Sequence, residues 1–201
     1  MSKPYSVACE RNREPILSVI KPLLTETRLV LEIGSGTGQH AVYFAEKLPH
    51  LTWQCSDQQE YIPGIKLWLE ESGLSNTPLP LVLDVTSTVW QDLEFDAVYS
   101  ANTVHIMSWA AVKDFISGAV SRLPLGGQLI LYGPYNYDNQ YTSDSNRQFD
   151  ISLKARDPAS GIRNFEDINS LATAFGMEFV DDVAMPANNR ILHWKKISTI
   201  T

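Results

Sequence analysis

Residues 29–38 read Leu-Val-Leu-Glu-Ile-Gly-Ser-Gly-Thr-Gly, and no other stretch restricts the fold as much. An apolar run of strand length that stops at glycines describes a buried parallel strand entering a tight turn. Glycines at 34, 36 and 38 allow positive φ and a close approach of ligand to backbone. Apolar residues then recur at 41, 42, 44, 45 and 48, which is helical spacing. Strand, glycine turn and helix in that order open a nucleotide-binding βαβ unit.

The spacing narrows the ligand. A dinucleotide fingerprint needs its third glycine five residues after the first, where this chain has Gln39. Glu32, two residues ahead of Gly34, would repel a pyrophosphate and suits a cationic ligand. The pattern Glu-x-Gly-x-Gly-x-Gly resembles motif I of class I S-adenosylmethionine-dependent methyltransferases. Their cofactor carries a sulfonium and an amino-acid tail and no phosphate.

A chain of 201 residues suits one domain, 1–201. A net charge of −7 argues against a nucleic-acid partner gripped through its phosphates. Cys9 and Cys55 have neither metal nor redox spacing, so a reduced, cytoplasmic chain is expected. The histidines at 40, 50, 105 and 193 lack zinc-ligand spacing, and no metal is expected. With no apolar run near 18 residues and a polar start, neither a membrane span nor a signal peptide is expected.

Periodicity predicts a leader segment over 1–24 with its helix at 14–24, and strands at 29–33, 51–56, 79–83, 95–101 and 128–132. Helices are expected at 39–48, 61–72, 109–123 and 165–175. Residues 133–164 are polar, with weak periodicity, and read as a substrate-side insertion. Two last strands, 177–184 and 190–197, form a terminal hairpin. Seven strands with a terminal hairpin resemble the class I methyltransferase architecture, and the resemblance implies a Rossmann-like α/β/α sandwich with a seven-stranded, mostly parallel sheet whose last strand is antiparallel.

In such sheets, ligands sit outside the carboxyl ends of the strands. Asp57 is placed to accept the ribose hydroxyls, and serves equally as a helix cap. Asp84 and Val85 fall where the adenine edge is read, although a turn aspartate explains Asp84 as well. Asn102 to Trp109 follow the fourth strand. His105 there can orient an acceptor or take its proton, or it is a buried structural histidine. Tyr132 and Tyr135 flank the end of the fifth strand. Aromatics with interleaved arginines (Arg147, Arg156, Arg163) suit an apolar substrate with an anionic group, or simply a solvated loop. Asn188 is a turn residue or a rim contact. The charged run 10–14 either folds over the cofactor or caps a helix.

The whole chain also resembles the methyltransferase-like 26 (domain of unknown function 938) family. The resemblance rests on Ala8-Cys9-Glu10-Arg11-Asn12-Arg13-Glu14-Pro15-Ile16, Ser35-Gly36-Thr37-Gly38-Gln39-His40, Leu83-Asp84-Val85, Asn102-Thr103-Val104-His105-Ile106, Tyr132-Gly133-Pro134-Tyr135 and Met185-Pro186-Ala187-Asn188-Asn189. It implies the class I fold and S-adenosyl-L-methionine as cofactor, and no particular substrate. Residues and resemblance together assign the cofactor to Glu32, Gly34, Ser35, Gly36, Thr37, Gly38, His40, Asp57, Gln58, Asp84, Val85 and Asn102. Catalysis falls to His105 and Tyr132, and substrate contact to Trp109, Tyr135, Arg147 and Asn188. The expected activity is methyl transfer to a small-molecule acceptor, with a homodimer left open. The alternatives are a catalytically silent binding protein and, disfavoured by Gln39, an NAD(P)-dependent oxidoreductase.

Overall fold

The computed structural model describes residues 2–87, 90 and 93–198. Its strands are β1 (Leu29–Ile33), β2 (Thr52–Asp57), β3 (Leu81–Val82), β4 (Ala97–Ala101), β5 (Gln128–Gly133), β6 (Tyr135–Asn136), β7 (Arg163–Asn164), β8 (Met177–Met185) and β9 (Asn189–Lys196). The helices are α1 (Val7–Leu23), α2 (Gln39–Lys47), α3 (Ile62–Ser72), α4 (Trp109–Ser121), α5 (Asp144–Arg156) and α6 (Phe165–Ala174). Seven strands form one sheet in the order β3-β2-β1-β4-β5-β9-β8. β9 runs antiparallel to both of its neighbours, and the other pairings in this sheet are parallel. The order reverses at β1, which puts β1 and β4 side by side at the switch point where this topology opens a crevice.

The central strands are apolar on both faces, and each face has its own core. Ile16, Ile20, Phe44, Trp53 and Tyr99 are buried on the side of α1, α2 and α3. Phe115, Ile116, Ile168, Leu129 and Trp194 are buried on the side of α4 and α6. At about 25 cal/mol per Å² of apolar surface, large buried side chains such as Trp53 and Trp194 each contribute a few kcal/mol to holding a layer down.

Three expectations are corrected. The leader helix begins at Val7 rather than at 14, because the Ser6 hydroxyl accepts from the Cys9 N–H at 3.3 Å and caps it there. Residues 10–14 within it are charged or polar, so apolar spacing shows only the later part, and Pro15 sits inside the helix. The segment 133–164 is structured, with α5 flanked by the paired strands β6 and β7. The buried residues of α5 are Asn146, Asp150 and Leu153, at helical spacing but mostly polar, so no apolar stripe marked the helix. The third strand is shorter than expected, two residues instead of five.

Candidate active site

A cavity of about 1080 Å³ opens at the carboxyl ends of β1, β2, β4 and β5. Its floor is the glycine turn. Gly34, Gly36 and Gly38 all have positive φ, at 73°, 57° and 88°. A Cβ on Gly34 would overlap Thr103 Cγ2, so this glycine lets β1 and the loop after β4 approach each other. Gly36 has nothing within 4 Å of its missing Cβ and opens into the cavity wall. Gly38 is instead the N-cap of α2 and packs on Ile65; it does not line the cavity.

Two carboxylates flank the turn. Glu32 is 2% exposed, accepts from Trp53 Nε1 at 3.1 Å and still borders the cavity. Burial lifts its carboxyl to about 7, against the opposing hydrogen bonds from Trp53 and Ser35. Asp57 accepts from the N–H groups of Gly36 (2.7 Å) and Gln58 (2.8 Å), which locks the strand end to the turn. Burial raises its carboxyl while those N–H bonds oppose the rise. Gln58 lines the same wall, beside Asp84 and the buried Val85. Asp84 Oδ1 accepts from the Thr86 N–H (2.9 Å) and hydroxyl (2.7 Å), so it organises a turn and its carboxyl is held below the ordinary range.

α1 forms a roof over this end. Asn12 Oδ1 lies 2.7 Å from His40 Nε2, and the Asn12 side chain also hydrogen-bonds Tyr132. Burial pushes His40 down to about 4, so the imidazole is neutral and donates to Asn12. Gln39, in the place of a third fingerprint glycine, anchors the roof: its Oε1 accepts from the Ser6 N–H at 2.5 Å and its Nε2 donates to the Ser6 carbonyl at 3.3 Å. The dinucleotide fingerprint keeps that position bare so that helix and strand pack closely. Ser6, Cys9, Arg11 and Asn12 all line the cavity, so the charged run after residue 9 does fold over the site. Of these, only Arg11 and Asn12 lie within the run weighed from sequence.

The opposite end is made by the loop after β4 and by α5. Asn102 takes positive φ (59°) and donates its N–H to the Tyr132 carbonyl at 2.8 Å, joining the ends of β4 and β5. His105 is 6% exposed, faces the cavity and meets Phe149 edge-on at 5.2 Å between ring centroids. Burial, reinforced by Arg163 and Arg156, pushes it down to about 4. Its ring is therefore neutral at physiological pH, with one nitrogen free to accept a proton.

The structure brings Glu32, Gly34, Ser35, Gly36, Thr37, His40, Asp57, Gln58, Asp84, Val85, Asn102, His105 and Tyr132 to one cavity. It leaves the four substrate-side expectations outside. Tyr135 is 2% exposed in the α4–α6 core: Pro134 faces the cavity, and alternation along the strand turns its neighbour the other way. Trp109 shares the helical face of Val112 and Ile116 and packs on that core as well. Arg147 points outward and pairs with Asp144 at 3.0 Å. Asn188 is a clasp: its carbonyl accepts from Asn146 Nδ2 (3.1 Å) and its amide donates to Ser145 Oγ (3.2 Å). In their places stand Met107, Phe149, Leu153 and Arg156. Once α5 is known to be a helix, the spacing of 149, 153 and 156 finds three of them.

The sheet order and the single antiparallel strand next to last in the sheet define the class I methyltransferase fold. An O-methyltransferase family protein from Burkholderia thailandensis superposes with a TM-score of 0.84 at 15% identity, over 95% of this chain and 58% of its own. The S-adenosylmethionine-dependent methyltransferase SibL, in its apo form, gives 0.80 at 19% identity, over 94% of this chain and 56% of its own. Human N-acetylserotonin methyltransferase in complex with SAM gives 0.79 at 12% identity, over 95% and 53%. The chain thus spans little more than half the length of these proteins, and at such identities the likeness is one of fold. The protein itself belongs to the family described as "Protein of unknown function (DUF938)", whose profile matches residues 3–196.

Among the described residues, no helix is long and apolar enough to cross a membrane, and no three His, Cys, Asp or Glu side chains gather as a metal site would need.

Proposed function

We propose that the protein transfers a methyl group from S-adenosyl-L-methionine to a small-molecule acceptor. One observation carries the reading: the glycine turn, Glu32 and Asp57 form one end of a single cavity whose other end holds a neutral His105. The residues fit the cofactor. Gly36 leaves open space where a side chain would intrude, Asp57 has lone pairs left for ribose hydroxyls, and buried Glu32 offers a carboxylate to a cation.

When bound, the cofactor supplies an activated methyl, whose bond to sulfur breaks as its bond to the acceptor forms, leaving a neutral thioether. The chain supplies alignment and exclusion of water, which can be worth roughly 7–11 kcal/mol. α1 closes the donor end through Asn12 and Gln39. His105 takes the proton of a hydroxyl acceptor on its unprotonated ring nitrogen, for which its depressed basicity still leaves it in the right state at neutral pH. Tyr132, hydrogen-bonded to Asn12, borders the space between the two ends.

Calorimetry with S-adenosylmethionine, S-adenosylhomocysteine, NAD and NADP tests the donor. Either sulfur nucleoside at 100 times its dissociation constant should add about 2.7 kcal/mol of stability, and the dinucleotides nothing. A response to NAD instead would overturn the reading. Incubation of the protein and labelled donor with a metabolite extract then tests for transfer. A protein that binds both sulfur nucleosides yet labels nothing is a binding protein rather than an enzyme.

A further inference from the structure

The cavity is electrically lopsided. Its three carboxylates, Glu32, Asp57 and Asp84, all belong to the donor end. In the wall formed by the loop after β4 and by α5, the charged side chain is Arg156, set among Met107, Phe149 and Leu153. Arg156 has no carboxylate partner among the described residues; its Nε donates to the Ser152 carbonyl one turn back, at 3.3 Å.

A second guanidinium lies behind this wall. Arg163 is half-buried and held by the backbone carbonyls of Val104 (3.4 Å), Met107 and Ala159 (2.8 Å), again without an ion pair among the described residues. The nearby carboxylates are engaged elsewhere. Asp150 accepts from Lys154 Nζ (2.6 Å), the Tyr141 hydroxyl (2.6 Å) and the Ile162 N–H (2.7 Å). Asp157 accepts from the Ala159 N–H (2.9 Å) and lies outside the cavity wall. Both arginines depress His105, so their field reaches the position of the acceptor. Two guanidiniums bonded to backbone carbonyls rather than carboxylates, in a chain of net charge −7, favour an anion at this end of the cavity.

Resting on the methyltransferase reading above, we propose that the acceptor is a small apolar molecule bearing an oxyanion such as a carboxylate, paired with Arg156 while its methylated atom lies against His105. The apolar body fills the space beside Met107, Phe149 and Leu153. The planar guanidinium then supplies the bidentate partner that a carboxylate or sulfonate requires. Arg156 sits in the last turn of α5 with its side chain reaching solvent, so its replacement removes a charge without opening the core.

The test uses two dyes of one skeleton, 8-anilinonaphthalene-1-sulfonate and the uncharged N-phenyl-1-naphthylamine, titrated by fluorescence against the full chain saturated with S-adenosylhomocysteine. Wild type should bind the sulfonate at least about 10-fold more tightly than the neutral dye, the size of one charge-assisted hydrogen bond. Arg156→Gln should remove that preference and leave the neutral dye within about 2-fold, and Arg156→Lys should restore part of it. Arg147→Gln should change neither dye. Equal binding of the two dyes by wild type overturns the proposal, as does no sulfonate binding, an unchanged Arg156→Gln, or an equal loss in Arg147→Gln. Binding of S-adenosylhomocysteine is measured first and separately: its failure sinks the donor reading, and the dyes on the ligand-free chain still report on Arg156.

Discussion

The two ends of the cavity are built by different means. The donor end is a set of strand ends and turns, where Gly34, Asp57 and Asp84 each act on backbone within a few residues or on the adjacent strand. The acceptor end is a helix laid over a loop, with α5 held by Asp150 to residue 162 and by Asn146 to residue 188. A turn at a strand end is imposed by the sheet itself. The acceptor wall depends on a few polar side-chain bonds outside the sheet, so it is the half that can change without disturbing the other.

The largest effect is expected at the seam between the halves. Gly34→Ala combines a positive φ with overlap on Thr103 and should cost about 2–4 kcal/mol of stability, read by urea unfolding. Gly36→Ala, with open space around it, should cost only about 1 kcal/mol while still weakening the sulfur nucleoside. Equal losses at the two positions would remove the distinction between a packing glycine and a cavity glycine.

Glu32→Gln probes the donor end through pH. Because folding raises this carboxyl from 4.5 to about 7, the native state binds its proton more tightly than the unfolded chain. Its contribution is intact below pH 4.5 and is lost as pH rises through 7. The variant should therefore gain on wild type between these limits, by up to about 3 kcal/mol. His40, His105 and His193, all pushed down to about 4, shift total stability the opposite way as acid is added, which is why the comparison must be with the variant. A difference that is flat with pH would mean Glu32 is solvated.

Asp150→Asn should cost about 1.5–3 kcal/mol through its charge-assisted bonds, loosening α5. Donor affinity by calorimetry should stay within a few-fold, and a parallel loss would show that the halves are coupled. Arg147→Gln should be silent to within about 0.5 kcal/mol, since its pairing with Asp144 is exposed.

The same contrast explains what could be read from the sequence. The glycine turn, Asp57 and the succession of strands along the chain follow from local pattern: apolar runs of strand length, glycines where φ is positive, acids at strand ends; the parallel arrangement of the sheet comes from the resemblance to class I methyltransferases. α5 was illegible because its inward positions 146 and 150 are polar, and hydrophobic periodicity registers only apolar faces. Trp109, Tyr135 and Arg147 were assigned by residue type near the right place. A shift of one position reverses which way a side chain faces on a strand and turns it by about 100° on a helix, and only the register found in three dimensions decides that. Asn12 was masked by the charged run around it.

The roof made by α1 has a consequence for the order of assembly. Ile16 and Ile20 share a core with Met185 and Ile191, close to the other end of the chain. α1 rests on α2 and in part on the hairpin of β8 and β9, so its seat is complete only when that hairpin has joined the sheet. Closing so long a loop is slow, and the donor pocket is among the last parts of the molecule to be completed. Ile191→Ala in β9 should therefore loosen a helix some 170 residues earlier in the sequence, and weaken ligand binding without removing a residue that lines the cavity.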